Sequence, residues 1–272
     1  SDLEKQSYKH IEVIVIDQSD NYSENFYNNW NLDIQYYRQH EKALWLARNN
    51  AIKFSKGELI LLTEDDVRFK KDFIKNHLIT LDFFHCDISN GVFYPLGSNI
   101  PSNRNYFKFS DQFPAGNTLL KKKVFKSVGL FDRQFEKQRM GDGEFGTRCY
   151  LRGILAISNP LSSCIDIKAN SGGLREMGSW DSWRPKNFFS PRPIPSVLYY
   201  YRKYWGNKLS IFNVFITFPR TINTYSFKGS TLGNIISYIL FIVLFPIFII
   251  LFSISWRKST TMLNEGEMIE KD

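Results

Sequence analysis

Strand-like runs and helical stretches alternate from residue 11 to residue 167, and this alternation constrains the fold more than any other feature of the chain. Ile11–Asp17 (IEVIVID) is an unbroken β-branched run that ends in an acid, as a buried parallel strand does. Ile34–Arg38 reads as a short strand. Lys42–Phe54 reads as a helix with Leu44, Ala47, Ala51 and Phe54 on one face, stopped by Gly57. Glu58–Leu62 is the next strand and Lys70–Phe83 the next helix. Thr118–Leu120 reads as a strand and Lys122–Val128 as a short helix ended by Gly129. Asp142–Arg152 reads as a helix with Gly153 at its end, and Ile154–Ile157 and Cys164–Ile167 as closing strands. Such an order predicts an α/β sandwich around a mostly parallel sheet.

A second constraint lies near the C-terminus. Leu232–Trp256 holds no charged residue, and Ile235–Phe252 is almost wholly Ile, Leu, Val and Phe. As one helix it would measure about 37 Å, against a hydrocarbon core of about 30 Å, so a transmembrane helix is expected. Trp256, Arg257 and Lys258 would anchor its end, and Pro246 in mid-segment leaves a kink or a shallow re-entrant hairpin as the other geometry. Ahead of it, Tyr199–Phe218 is dense in aromatics with polar residues at helical spacing. It reads either as an amphipathic helix on a membrane surface or as a helix packed on the protein's own core. The expected division is an α/β domain over 1–184, a Pro-rich and amphipathic juxtamembrane segment over 185–231, the span 232–256 and a short tail 257–272. The chain opens at Ser1 in what reads as mid-helix, so a further strand is expected upstream.

Composition narrows the function classes. With 43% hydrophobic residues the chain can offset the entropy of ordering, which excludes a disordered polar tail. Three widely spaced cysteines and four scattered histidines give neither a disulfide frame nor a zinc site, and suit a reducing compartment. The net charge of +8 comes from dispersed Lys and Arg without a nucleic-acid-binding signature, so it is read as affinity for an anionic membrane face, with no nucleic-acid partner.

Three acidic sites carry the chemistry. Glu64-Asp65-Asp66 follows a buried strand, and three adjacent carboxylates repel one another unless a cation joins them. Hard oxygen ligands at a strand end suit Mg²⁺ or Mn²⁺ shared with a diphosphate; a solvated acidic turn is the alternative. Asp17, at the end of the first strand, can accept hydrogen bonds from a nucleoside, or can close an Asx turn with Gln18-Ser19-Asp20. Asp142 begins a helix, whose N-terminal dipole keeps it ionised as a general base must be; plain capping is the alternative. Glu144 would point about 200° away from Asp142 around that helix, and is read as structural, paired with Arg148 at i,i+4. Ser171-Gly172-Gly173-Leu174-Arg175 could close a cation over phosphates, or be a surface loop.

These residues stand in a known order. Leu3–Asp20, Ala47-Arg48-Asn49-Asn50-Ala51-Ile52, Lys56-Gly57-Glu58, Glu64-Asp65-Asp66, Pro114-Ala115-Gly116-Asn117, Val128-Gly129-Leu130-Phe131-Asp132 and Asp142-Gly143-Glu144-Phe145-Gly146-Thr147-Arg148 together resemble the inverting, GT-A-fold glycosyltransferases of family two. The resemblance runs from Leu3 to about Arg184. It implies a membrane-associated bacterial enzyme of the cytoplasmic face of the inner membrane. Such an enzyme moves a sugar from a nucleoside diphosphate sugar to a glycan or lipid-linked acceptor with inversion, in cell-surface polysaccharide or glycolipid assembly. It further implies Asp142 as catalytic base, Asp66 and Glu64 as metal ligands, and Asp17, Arg48 and Asp65 as substrate-binding residues, to which the loop reading adds Arg175. A sugar-phosphate nucleotidyltransferase or a non-catalytic membrane-anchored nucleotide-sugar-binding module are the alternatives; a base on the acceptor side, Asp142, separates transfer from the first, and metal-dependent nucleotide-sugar binding without turnover would mark the second.

Overall fold

The computed structural model of the chain describes residues 2–20, 24–167, 187, 189–222 and 230–271, with the backbone alone at Arg220. They fall into two compact units. The first gathers the described residues of Ser1–Asp132, Asp142–Asn170 and Ile269–Asp272; the second gathers those of Arg133–Gly141 and Ser171–Met268.

In the first unit, β1 (Glu12–Asp17) and β2 (Asp33–Arg38) form a parallel pair, in register from Glu12 opposite Asp33 to Asp17 opposite Arg38. Asp2–Lys5, expected as the end of a helix, form a turn instead. Buried Gln6 fixes that turn, donating to the carbonyls of Asp2 and Lys70 and accepting from the Ile74 amide. α1 (Leu44–Phe54) packs on β1, but its buried face is Trp45, Ala47, Asn49 and Ile52, one residue out of phase with the expected stripe. The reason is Asn49, whose amide both donates to and accepts from the Phe131 backbone at 2.9 Å, while Trp45 stacks on the Phe131 ring. A polar residue sits in the core because its hydrogen bonds are met there.

The main sheet contains β3 (Leu59–Thr63), β4 (Val67–Phe69), β5 (Ile88–Pro95), β6 (Lys108–Phe109), β7 (Asn117–Lys121) and β8 (Ala156–Asp166), in the order β3-β7-β5-β8-β4, with β6 beside β8. Of these pairings only β5–β8 is parallel, so the sheet is mixed where a mostly parallel one was expected. α2 (Phe73–Phe83), α3 (Lys123–Val128) and α4 (Gly141–Leu151) are the helices of this part of the chain. Gly129 at φ +81 and Gly153 at φ +69 follow α3 and α4, as their positions in the sequence suggest. Leu81, Cys86, Leu119 and Ile157 form one core cluster, and Val67, Phe73, Ile74 and Cys164 another.

The central strand β5 (ISNGVFYP) was not legible, because it lacks an apolar run. Its polar residues are buried in a hydrogen-bonded layer. His77 on α2 bonds Ser89 and Asn117; Asn159 bonds Ser89 and Ser162; Thr118 bonds Asn90. A Cβ on Gly91 would stand 2.2 Å from both the Asn117 side chain and the Ser162 carbonyl, so only glycine fits there.

The second unit is helical: α5 (Pro195–Ile222), α6 (Thr231–Val243) and α7 (Phe245–Glu265). α5 is two helical pieces meeting at Gly206, whose φ is +74. The uncharged run is likewise two helices, bent by 82° at Leu244, rather than the single helix expected. No single helix among the described residues is long and apolar enough to cross a membrane. Pro246 falls in the first turn of α7, where its missing N–H costs nothing, and so starts a new helix instead of kinking an old one. Val214 and Phe218 of α5 pack against Phe248 of α7 with Phe241 of α6 beside them.

Candidate active site

β3 and β4 stand at opposite ends of the strand order, so Glu64-Asp65-Asp66, which joins them, passes over the edge of the sheet where β3 and β8 end and β7 begins. Two contacts fix its course. The Asp66 carbonyl accepts from the Ile167 amide at 3.0 Å, next to the end of β8. Glu64 lies against Gly116, just ahead of β7, where an added Cβ would meet its carboxyl carbon at 2.5 Å.

The carboxylates here act on one another. Glu64 is held above the usual carboxylate range, first by the protein mass around it, then by the negative charges of Asp66 and Asp166; the Arg48 guanidinium opposes this. Arg48 pairs with Glu64 at 2.9 Å and lies over the Trp45 ring. The Glu64 side chain is nonetheless 39% exposed, so it sits in a recess that water reaches. Asp166 was not singled out in the sequence. It ends a strand as Asp17 does, and that shared position was the available signal.

Asp17 stands at the end of β1. Its Oδ1 accepts from the Ser19 amide and hydroxyl, both at 2.7 Å, and its Oδ2 accepts from the Tyr36 hydroxyl at 2.8 Å; Arg38 lies 3.6 Å away. Partial burial works to raise its pKa, but these hydrogen bonds and Arg38 prevail, and Asp17 stays below its ordinary value. The Asx turn is therefore present, with the carboxylate kept ionised within it. Gln18 accepts from the Ala43 amide at 2.7 Å and so ties the end of β1 to the start of α1. Tyr27, also unanticipated, links this corner to the acidic triplet: its hydroxyl is pushed up by burial and then by the charges of Asp17 and Asp65 together. Asp65 and Asp17 thus both act on Tyr27, while the Asp66 backbone adjoins the end of β8.

Asp142 occupies the first turn of α4, half-buried, with Oδ1 accepting from the Gly143 amide at 2.8 Å. Glu144 is fully buried and chelates Arg148, Nε to both carboxylate oxygens at 3.0 Å. Arg148 also donates to the carbonyls of Val128 and Leu130, so the pair clamps α4 to the chain after α3. α4 touches the same segment as Glu64: Phe113 lies against Gly146 and Phe145, three residues before Gly116. The stretch from Phe113 to Gly116 therefore runs from α4 to the acidic edge. Arg175 lies outside the described residues.

The donor set admits a divalent ion in a limited way. Among the described residues no group of three or more His, Cys, Asp or Glu side chains converges to hold one. Mg²⁺ and Mn²⁺ bound with a diphosphate need only one or two carboxylates from the protein. Burial raises Glu64 first, and the repulsion from Asp66 and Asp166 that adds to it is what such a cation would relieve.

The sequence profile of Glycosyl transferase family 2 matches residues 1–139. No curated protein matches the chain in sequence. Several solved structures share its fold. S. aureus TarS 1-349 in complex with UDP-GlcNAc superposes with a TM-score of 0.59 at 14% identity, covering 95% of this chain and 76% of that one. GalNAc-T7 with UDP, GalNAc and Mn²⁺ gives 0.57 at 11% identity, covering 77% and 44%. The mannosyltransferase PcManGT from Pyrobaculum calidifontis, with GDP-Man and Mn²⁺, gives 0.50 at 16%, covering 63% and 52%. Against another TarS structure the match covers only 33% of that chain.

Proposed function

The chain belongs to glycosyl transferase family 2, and on that premise we propose that it transfers a sugar, with inversion, from a nucleoside diphosphate sugar to an acceptor hydroxyl in cell-surface polysaccharide or glycolipid assembly. The observation that carries the reading is the triplet Glu64–Asp66 with Asp166 at one edge of the six-stranded sheet, with Tyr27 under the charges of both Asp65 and Asp17, which ends the separate β1–β2 pair, and with the Phe113–Gly116 stretch leading from the triplet to α4. In open α/β sheets ligands bind outside the carboxyl ends of the strands. Two of the structurally similar proteins were solved with Mn²⁺ and a nucleotide or nucleotide sugar, and a third with UDP-GlcNAc.

In this reading Asp17 and Asp65 hold the nucleoside side of the donor, and Arg48 keeps Glu64 in place. Asp66, with Glu64, would hold Mg²⁺ or Mn²⁺, whose charge neutralises the diphosphate as it leaves. The acceptor oxygen bonds to the anomeric carbon from the face opposite the diphosphate, and Asp142 takes the acceptor's proton. Arg175 would complete the phosphate contacts. The transfer is placed at the cytoplasmic face of the inner membrane, where nucleotide sugars are made.

Calorimetry with UDP and GDP tests the donor half. Binding is expected with Mn²⁺ present and is expected to vanish with EDTA, and Asp66→Ala should weaken it more than Asp65→Ala. Equal affinity with and without metal would sink the metal assignment.

A further inference from the structure

Among the described residues, the second unit's helices carry exposed apolar side chains. On α6, Leu232, Ile235, Ile239 and Val243 form an exposed stripe at helical spacing, while Ser237 and Gly233 are the buried residues. On α5 beyond Gly206, Phe212 and Ile216 are exposed although Val214 and Phe218 fill the interior; on α7, Ile250 is 60% exposed while Phe248 and Leu251 are buried. A helix on a water-facing surface buries one stripe and shows polar residues on the other. These three helices expose apolar residues as well as burying them, and exposed apolar residues in such number mark an interaction site.

Their dimensions exclude a span by either arm. α6 has 13 residues, about 20 Å, and the uncharged part of α7, Phe245–Trp256, measures about 18 Å. Each is short of a hydrocarbon core of about 30 Å, and the two are bent by 82°. A pair so bent reaches roughly the depth of one leaflet.

The same unit sets a water-side level. Lys208 follows the Gly206 kink of α5, and Arg257 and Lys258 follow the uncharged run on α7. Arg202 holds the two helices together near these points. Its guanidinium lies 3.9 Å over the Trp256 ring and donates to the Trp256 carbonyl and to the hydroxyls of Ser259 and Thr260. Trp205 and Tyr204, whose rings meet edge to face, follow Arg202 in the sequence and are residue types that favour a headgroup boundary. The basic rim adjoins the apolar surface, which is the complement of an anionic lipid face.

We propose that α5 beyond Gly206, α6 and the first half of α7 insert together into a single leaflet of an anionic bilayer without crossing it. This rests on the second unit alone, independently of the transferase reading. The full chain should float with vesicles of phosphatidylcholine mixed with phosphatidylglycerol, and poorly with phosphatidylcholine alone. Arg257→Ala with Lys258→Ala should weaken binding to the mixed vesicles about 30-fold. Ile235→Asp with Ile239→Asp should abolish flotation, with folding followed by circular dichroism; if that variant loses helicity, the rim variant decides. Tags placed before Ser1 and after Asp272 should both be cleaved by protease added to one side of sealed vesicles. Protection of the C-terminal tag alone would show a span and overturn the proposal. A lipid-independent, monodisperse dimer that does not float would assign the apolar surface to a second copy and overturn it equally.

Discussion

Asp142 and Glu144 lie two residues apart on one helix and do different work. Glu144 is buried and spends its charge on Arg148, so it is not available to an acceptor. Asp142, half-buried at the first turn, keeps a carboxylate where the helix dipole favours its ionised form. Asp142→Asn should leave nucleotide and metal affinity nearly intact while lowering transfer by roughly 10²–10⁴-fold, the usual worth of a positioned base. Calorimetry and a product assay on the same variant check this, and near-normal transfer would remove Asp142 from the role. His77 gives a prediction about stability. Burial lowers its pKa from 6.5 to about 4, against the opposing bonds to Asn117 and Ser89. Between those values the unfolded chain binds a proton that the folded chain does not, so stability falls as pH drops from 6.5 towards 4, by about 3 kcal/mol in all, and changes little from this source above 6.5. His77→Gln should flatten that slope in denaturant titrations run across the interval. A slope unchanged by the substitution would show that other groups cause it.

At the scale of elements, the connection from Phe113 to Gly116 couples α4 to the acidic edge through two close approaches. A Cβ at Gly116 would meet the Glu64 carboxyl carbon at 2.5 Å, and Glu64 is the end of a flexible side chain that can move. Gly116→Ala should therefore displace Glu64 from Arg48 with little loss of fold. We expect metal-dependent nucleotide binding to weaken about tenfold while the thermal midpoint shifts by only a few degrees, the response to about 1 kcal/mol. Unchanged nucleotide affinity would show that Glu64 has no part in holding the donor. Gly91 answers differently, since its added Cβ would meet the Ser162 backbone, which has nowhere to go.

Across the whole molecule, all three cysteines are buried and unpaired, and burial pushes the thiols of Cys149 and Cys164 up to about 12 and that of Cys86 above its ordinary value. Thiolate is the reactive form, so the native chain should resist Ellman's reagent at mildly alkaline pH and release three thiols on unfolding. Rapid labelling of a thiol under native conditions would contradict the packing around it.

Local chemistry alone marks much of the candidate site. Asp17 and Glu64–Asp66 were found because an apolar strand that ends in acid is a pattern of neighbouring residues. The start of α4 at Asp142 and the Glu144–Arg148 pair follow from glycine placement and i,i+4 spacing alone. What stayed hidden depends on residues far apart in sequence. β5 reads as a loop because Ser89, Asn90 and Gly91 satisfy their polar groups or their tight packing only against α2, β7 and β8. The phase of α1 turned on Asn49 meeting Phe131, 82 residues away. Strand direction is set by pairing, which no single run encodes, so the sheet proved mixed and Asp166 reached the acidic edge unannounced. The break at Leu244 lay between the two: Pro246 marked it locally, but only the packing of Phe218 and Phe241 on Phe248 decided that the apolar run would fold back as two helices.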